Sequence, residues 1–173
     1  MSIIRTNQIQ DTSGNSAMMI NSSGVVTFPN APFYAFAARK KLASGAGDTG
    51  ATGIIVFNNI QSNIGNAYSG ADGRFTAPVA GTYSFSFFGL ACQANGSGHT
   101  SSTGTTGFFY KNGSDSGYGR IQVSNVSGYS NVAATAVIPL AINDYIQIFI
   151  ESGAVLSAEV ANYNHFNGHL VGV

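Results

Sequence analysis

The chain has 173 residues, which is enough for one domain with a sizeable core. Charged residues make up only 8% of it, against about 25% in a typical soluble domain. Seven basic and seven acidic side chains give a net charge of zero, and the one basic cluster, residues 39–41, is too small to follow a nucleic-acid backbone. No apolar run is long enough for a membrane span, and the single cysteine, Cys92, excludes an intrachain disulfide.

Residues 1–30 are predicted to form a separate segment made of short apolar pieces. The turn sequences Asp-Thr-Ser-Gly and Asn-Ser-Ser-Gly separate these pieces. Pieces this short cannot bury themselves within one chain, but stacking around a threefold axis with two other copies would bury them. The first residues contain no apolar stretch of the kind found in a secretory signal, so we expect none. Pro29 and Pro32 are predicted to link this segment to a domain that occupies residues 33–173.

The pattern of this first segment resembles the N-terminal region of many phage tail-fibre proteins. The residues that carry the resemblance are Ile9, Asp11, Ser13, Gly14, Met19, Ile20, Gly24 and Val26. An ordinary β-hairpin or a disordered leader is the alternative. The resemblance implies attachment to other virion or tail-fibre proteins. The composition is rich in Ser, Thr, Asn, Gln and Gly, as is common in extracellular and virion β-proteins. Together with the expected lack of a secretory signal, it fits a virion protein that cell lysis releases.

From Phe33 onward the sequence predicts an all-β sandwich or jelly roll. Short strands are separated by turn signals roughly every eight to twelve residues, and no segment keeps a helical period. In the central stretch, residues 66–91, the rings of Tyr83, Phe85 and Phe87 alternate with small polar residues and are predicted to face the core. Residues 42–53 and 93–107 are rich in Gly, Ser and Thr and are predicted to be loops.

Several motifs follow one another across about 140 residues of this domain. They are Phe36-Ala37-Ala38-Arg39; the set Val56, Phe57, Asn63, Tyr68, Gly73, Phe75, Pro78, Gly81, Tyr83 and Phe85; Lys111-Asn112-Gly113; the run from Leu140 to Ile146; and Phe166-Asn167-Gly168-His169-Leu170. In this order they resemble the C1q globular-head family, although Asn143 replaces a family glycine and the chain has no Trp. The resemblance implies the ten-stranded jelly roll shared with tumour necrosis factor, a homotrimer packed around a threefold axis, and loops presented at a distal apex.

Consecutive aromatic residues also point to a second copy of the chain as a partner. Phe108, Phe109 and Tyr110 place large rings on both faces of one strand, and residues 145–150 do the same. One face fills the core, so the other needs a cover that a neighbouring chain would supply. In a trimer, the predicted interface residues are Phe33, Phe108, Tyr110, Tyr145, His165 and His169.

Candidate metal ligands are few. His165 and His169 share a strand face but lie about 13 Å apart, so one chain cannot bring both to a metal. Three symmetry copies of one histidine could meet at an ion or titrate together, and surface or packed histidines are the alternative. Asp48, Asp115 and Asp144 are expected in loops at the same end of the jelly roll, where they would hold calcium or remain solvated turn carboxylates. No other cofactor is expected.

Catalytic patterns are weaker still. Residues 45–50 match the glycine pattern of a dinucleotide-binding loop, but a strand rather than a helix follows, which indicates a flexible loop. The sequence contains no nucleophile elbow and no pair of carboxylates within one motif. We therefore expect no enzymatic activity.

The sequence favours a structural and adhesive protein, the trimeric tip of a phage tail fibre or a similar virion appendage. Its head would present loops to a host-surface glycan or protein, because aromatic rings and amide groups suit sugar faces and hydroxyls. The predicted rim consists of Asp48, Asp115, Tyr118, Asn143, Asp144, Asn162 and Tyr163. The alternatives are a secreted C1q- or TNF-like module that binds proteins or glycans, and a fibre-borne polysaccharide hydrolase. We expect no nucleic-acid or membrane partner, and a location on the virion, extracellular after lysis.

Overall fold

The computed structural model describes residues 8–27, 33–159 and 163–173. Its regular structure consists of β-strands, which confirms the all-β prediction. The chain divides into two compact units, residues 1–32 and residues 33–173; we call the second unit the head. Within the described ranges, no helix has the length and apolar character needed to cross a membrane. The predicted linker residues Pro29 and Pro32 lie outside the described residues.

The first unit contains an antiparallel three-stranded sheet. Its strands are β1 (Gln8–Gln10), β2 (Ser16–Ile20) and β3 (Val26–Thr27), with β2 in the middle. Two turns of the same design, ten residues apart in the sequence, connect them. In each turn one side-chain oxygen, Oδ1 of Asp11 or of Asn21, accepts the amide hydrogens of the second and fourth residues that follow, at 2.9 Å each. The repeated turn sequences therefore determine this sheet locally.

Among residues 33–159 and 163–173, the head contains eleven strands. They are β4 (Ala35–Arg39), β5 (Thr49–Ile55), β6 (Asn59–Ile64), β7 (Tyr68–Ser69), β8 (Arg74–Thr76), β9 (Gly81–Cys92), β10 (His99–Lys111), β11 (Ser114–Gly128), β12 (Ser130–Leu140), β13 (Tyr145–Ser157) and β14 (His165–Gly172).

The predicted loops at 42–53 and 93–107 are wrong in part, because β5 begins at Thr49 and β10 begins at His99. Polar residues can lie in these strands because their hydrogen bonds are satisfied. The Thr105 hydroxyl is buried and donates to the backbone oxygen of Ala154 at 3.0 Å, and Nε2 of His99 lies 3.0 Å from the same hydroxyl. Burial also lowers the pKa of His99. A polar composition favours a loop when only the local sequence is considered. The local sequence does not show the distant groups that bond to these side chains when they are buried.

The strands of the head form two layers. The first sheet has the order β6-β4-β14-β9-β12. The second sheet has β5 and β8 beside β13, followed by β10 and β11, with β7 paired to β8. The far end of β13 pairs with β9 through Ala154 and Val155, so that the two layers join along one edge.

Aromatic rings fill the space between the two layers. Phe166 on β14 is fully buried, and its ring centroid lies 4.8 Å from that of Phe36 and 6.5 Å from that of Phe109 on the second sheet. Two positions further along β14, a Cβ added at Gly168 would approach the rings of Phe85 and Phe36 to 2.5 and 2.7 Å. The predicted core rings Tyr83, Phe85 and Phe87 are all buried, so the alternation assigned to residues 81–87 is confirmed. This cluster holds the sandwich together.

Replacing Phe166 with alanine should lower the free energy of unfolding by about 3–5 kcal/mol, because it removes the ring that contacts both layers and leaves a cavity. Urea-induced unfolding of the full chain measures the change. Val171→Ala is the control, since Val171 is 59% exposed in the same strand, and its effect should stay within about 0.5 kcal/mol. Equal effects of the two substitutions would contradict the central role of the ring.

Candidate functional site: an open sheet face and a groove

The side of the first sheet that turns away from the core carries small side chains in register across five strands. We call it the open face. Its central row is Thr135, Ser86, Asn167, Ala37 and Ser62. The row on one side is Val137, Ser84, His169, Ala35 and Ile64, and the row on the other is Ala133, Phe88, His165, Arg39 and Asn59. Arg39 is the one permanent charge in these rows, so the face has little charge to repel a second copy of itself.

Two of the six predicted interface residues, His165 and His169, lie on the open face. The His165 ring lies 6.2 Å from the Phe88 ring between centroids, and His169 is exposed beside Ser84. Phe33 is 60% exposed and precedes β4, a strand of the same sheet.

The other three predicted interface residues, Phe108, Tyr110 and Tyr145, lie on the outer side of the second sheet. Side chains of the same chain cover them. Tyr110 stacks on Phe149 with ring centroids 4.3 Å apart. The Arg74 guanidinium lies 4.2 Å from the ring centroid of Tyr145, and the Arg120 guanidinium lies 5.6 Å from that of Phe108. The structure thus divides five of the six residues between two faces. The covering side chains on the second sheet come from other positions of the chain, and the sequence alone does not show that they pair with these rings.

Asp144 fastens the hairpin turn at residues 112–113 to the turn that precedes β13. Its Oδ1 accepts a hydrogen bond from Nδ2 of Asn112 at 2.8 Å, and its Oδ2 accepts one from the Ala141 amide at 2.8 Å. The Lys111 ammonium lies 2.9 Å from Oδ2. The Asn112 bond, followed by the Lys111 contact, lowers the pKa of Asp144 to about 2. Asp144 was predicted as a ligand contact, but both of its oxygens are bonded within the chain. The exposed Asn143 lies in the same turn.

Asp48 lies at the opposite end of the sandwich from Asp144. It directly precedes Thr49, which pairs with Ser157 at one end of β13, whereas Asp144 precedes the other end. The prediction that the Asp48, Asp115 and Asp144 loops share one end is therefore wrong, and these three carboxylates do not meet at a calcium site. The sequence pattern does not reveal this separation. It shows neither that β13 extends for thirteen residues nor that β5 pairs with β13 in the register that sets Thr49 beside Ser157.

The last two predicted rim residues follow β13. Tyr163 is exposed and directly precedes Asn164, whose side chain is buried and bonds to the backbone of Leu156 and Leu90. It therefore lies at the Asp48 end of β13. Asn162 lies outside the described residues. In the part of the chain that the structure describes, no three side chains of His, Cys, Asp or Glu gather in a group able to hold a metal ion.

Asp115 and Tyr118 are brought together by an irregularity in β11. Phe108 of β10 pairs with Arg120, but Tyr110, two residues later, pairs with Asp115, so six residues of β11 oppose three of β10. The extra residues bulge outward and form a groove of about 340 Å³. We call it the bulge groove; it is lined by Phe108, Asp115, Gly117, Tyr118, Gly119 and Arg120.

Sequence reasoning missed Phe108 and Arg120 as groove residues. The available signal was the run Gly117-Tyr118-Gly119, because glycines within a strand often mark a bulge. Gly117 has φ +70°, and Oδ1 of Asp115 accepts its amide hydrogen at 2.9 Å, which shapes the bulge. The sequence alone does not show which residues of β10 lie opposite.

The bonds to Asp144 should make stability depend on pH. The folded-state pKa of about 2 lies below the unfolded value of about 3.9, so the stabilisation is fully present above about pH 4 and is lost as pH falls towards 2. Asp144→Asn should therefore destabilise the protein at pH 7, and the difference from the wild type should shrink by pH 2. Urea unfolding across this range measures it.

A second variant isolates the cause of this pH dependence. Asn112→Ala removes the strongest donor to the carboxylate, so it should raise the pKa of Asp144, which an NMR titration of its side-chain carboxyl carbon would follow. An unchanged titration in this variant would contradict the assignment.

Comparison with known proteins places the head in a family. A model of the C1q domain matches residues 35–171. The globular domain of a zebrafish complement 1qA protein is 19% identical and superposes with a TM-score of 0.58, over 80% of this chain and 97% of its own. Murine APRIL at pH 5.0 is 12% identical, with a TM-score of 0.57 over 81% and 100% of the two chains. The Eiger TNF from S. frugiperda is 11% identical, with a TM-score of 0.58 over 81% and 93%.

At such low identities the solved structures establish the fold alone, and they confirm the predicted C1q- and TNF-like jelly roll. The matches extend along nearly the whole length of each of these structures. Because the C1q model spans residues 35–171, most of the chain, the protein belongs to the C1q domain family.

Proposed function

We propose that this protein is a non-enzymatic, homotrimeric virion appendage, the tip of a phage tail fibre, whose head recognises a host-surface ligand. Residues 1–30 attach it to other virion or tail-fibre proteins, and it is extracellular after lysis. Domains of the C1q and TNF-like families are generally non-enzymatic binding modules that form homotrimers and bind ligands, which supports the first part. The features below support the rest.

The open face is the observation that carries the proposal. Its central row consists of Thr, Ser, Asn and Ala side chains, which let another sheet approach closely, and one of them, Ser86, lies on β9, an inner strand next to the central strand β14. Exposed apolar side chains flank this row: Ile64, Phe88 and Val137. A face with small, uncharged side chains along its central row and exposed apolar side chains beside that row suits contact with copies of the same chain.

The sheet of the first unit supports an attachment role. Its strand register places Ile9, Met18, Ile20 and Val26 on one side. Asp11 is the one charged residue among residues 8–27, and its carboxylate is bonded within its own turn. A three-stranded sheet of this length cannot build a core by itself. Its apolar side therefore favours contact with other copies or with another fibre protein.

The full chain should have a solution mass three times the chain mass of 17.9 kDa, measured by multi-angle light scattering. Ser86→Arg should produce monomers, because it places a long charged side chain in the central row of the open face. Gln122→Arg adds the same side chain at an exposed position of the second sheet and should leave the trimer intact. A monomeric wild-type chain would overturn the proposal.

The same two variants test adhesion. On an array of bacterial surface glycans and envelope proteins, the wild type and Gln122→Arg should bind through three heads, whereas monomeric Ser86→Arg should bind at least a hundredfold more weakly through loss of avidity. Equal binding by the monomer and the trimer would contradict a multivalent adhesive role.

The attachment role of the first unit can be tested in the full chain. Met18→Asp with Ile20→Asp places charges on the apolar side of the sheet and should increase amide hydrogen exchange across residues 8–27, because a covered face becomes hydrated. Met19 lies in the same strand but faces the other side, so Met19→Asp should leave the exchange nearly unchanged. Equal exchange in both variants would show that this side is uncovered.

A further inference from the structure

We propose that the bulge groove is a carbohydrate-binding site that holds one neutral sugar residue of a surface glycan. This inference deepens the proposed function and rests on it for the source of the glycan. The geometry of the groove stands independently of the oligomeric state, because the groove lies on the second sheet and the open face belongs to the first.

The shape of the groove suits a small ring. Its volume of about 340 Å³ lies near the lower end of the range for small-ligand sites, which begins at about 300 Å³. The floor is low because Gly119 lies against the buried ring of Phe109: an added Cβ would approach Cδ2 of that ring to 2.8 Å. Tyr118, between the two glycines, is 47% exposed. The bulge therefore packs the Gly119 backbone closely on the core beside the exposed Tyr118.

The polar groups of the groove supply both donors and acceptors for sugar hydroxyls. Oδ1 of Asp115 accepts the Gly117 amide hydrogen, while its Oδ2 has no donor among the described residues. A carboxylate and a guanidinium are both planar groups that can bond two neighbouring hydroxyls at once. Arg120 supplies the guanidinium and lies over the Phe108 ring. Tyr118 offers a ring face to the C–H groups of a sugar, as well as a hydroxyl.

The floor of the groove is held in place by neighbouring strands. Phe108 pairs across the second sheet with Phe149, on which Tyr110 stacks with an interplanar angle of 9°. Phe149 pairs in turn with Ile54 of β5. This row fixes the ring under Arg120, so the guanidinium needs little further ordering when a ligand binds.

The balance of charge selects the class of ligand. One carboxylate and one guanidinium line the groove and cancel, which disfavours a phosphate or an isolated cation. The partly open, polar walls disfavour a purely apolar ligand. A neutral molecule with adjacent hydroxyls and an apolar C–H face matches all of the lining groups.

Arg74 and Tyr145 form a second arginine–ring pair on the same sheet, outside the groove. The Arg74 guanidinium also lies over a ring, but it is 3.5 Å from the Asp72 carboxylate, and none of these three side chains lines the groove. Arg74→Ala therefore removes a similar arginine–ring pair outside the groove and is the matched control for Arg120→Ala.

The test uses the full chain and a panel of methyl glycosides of mannose, glucose, galactose and N-acetylglucosamine, with glucuronic acid as the acidic member. Saturation-transfer NMR detects binding, and a titration gives the affinity. At least one neutral glycoside should bind. Tyr118→Ala and Asp115→Asn should each weaken it by about tenfold, Tyr118→Phe by less, and Arg74→Ala should have no effect. Light scattering and thermal unfolding confirm that each variant is folded and keeps its oligomeric state.

Three results would overturn the inference. They are the absence of binding by any neutral glycoside, binding that Tyr118→Ala and Asp115→Asn leave unchanged, and binding of the acidic sugar alone with loss in Arg120→Ala. The last would reassign the groove to acidic sugars. None of these results affects the proposed function, whose trimer fails separately if the wild type is monomeric and whose adhesive role fails separately if the wild type does not bind the surface array.

Discussion

The contact of Phe166 with rings from both layers is the constraint on which the rest of the head depends. It lies on β14, which is hydrogen-bonded to β4 on one side and to β9 on the other. Its ring touches Phe36 within its own sheet and Phe109 in the second sheet. Because side chains alternate along a strand, the ring that points inward sends His165 and Asn167 outward. One strand thus builds both the core and the centre of the open face.

The few charged side chains act locally. Asp144 and Lys111 hold two turns together, and Asp11 closes a turn in the first unit. Arg120 and Arg74 lie over rings on the second sheet, where they shield aromatic surface that would otherwise need a partner. As a result the second sheet covers its own outer rings, and the open face of the first sheet remains small and nearly uncharged.

Sequence reasoning predicted the parts of the structure that depend on neighbours along the chain. The alternation of Tyr83, Phe85 and Phe87 with small polar residues has the period of a strand with one buried face, and the structure buries these three rings. The turns that begin at Asp11 and Asn21 form through side chains that bond to amides two and four residues later. Such contacts need no information from distant parts of the chain. The ordered motifs of residues 36–170 similarly indicated the jelly roll.

What only the tertiary structure decided is which distant residues meet. The polar stretch from His99 to Gly107 is a strand because buried partners such as Ala154 accept its hydrogen bonds. Asp48 and Asp144 are separated because β5 pairs with the far end of β13. The bulge groove exists because β11 has more residues than its partner between two ladder pairs, which sets Asp115 and Tyr118 beside Phe108 and Arg120. Composition and periodicity describe one strand at a time, whereas register is fixed by the packing of all strands together, and the groove is a consequence of register.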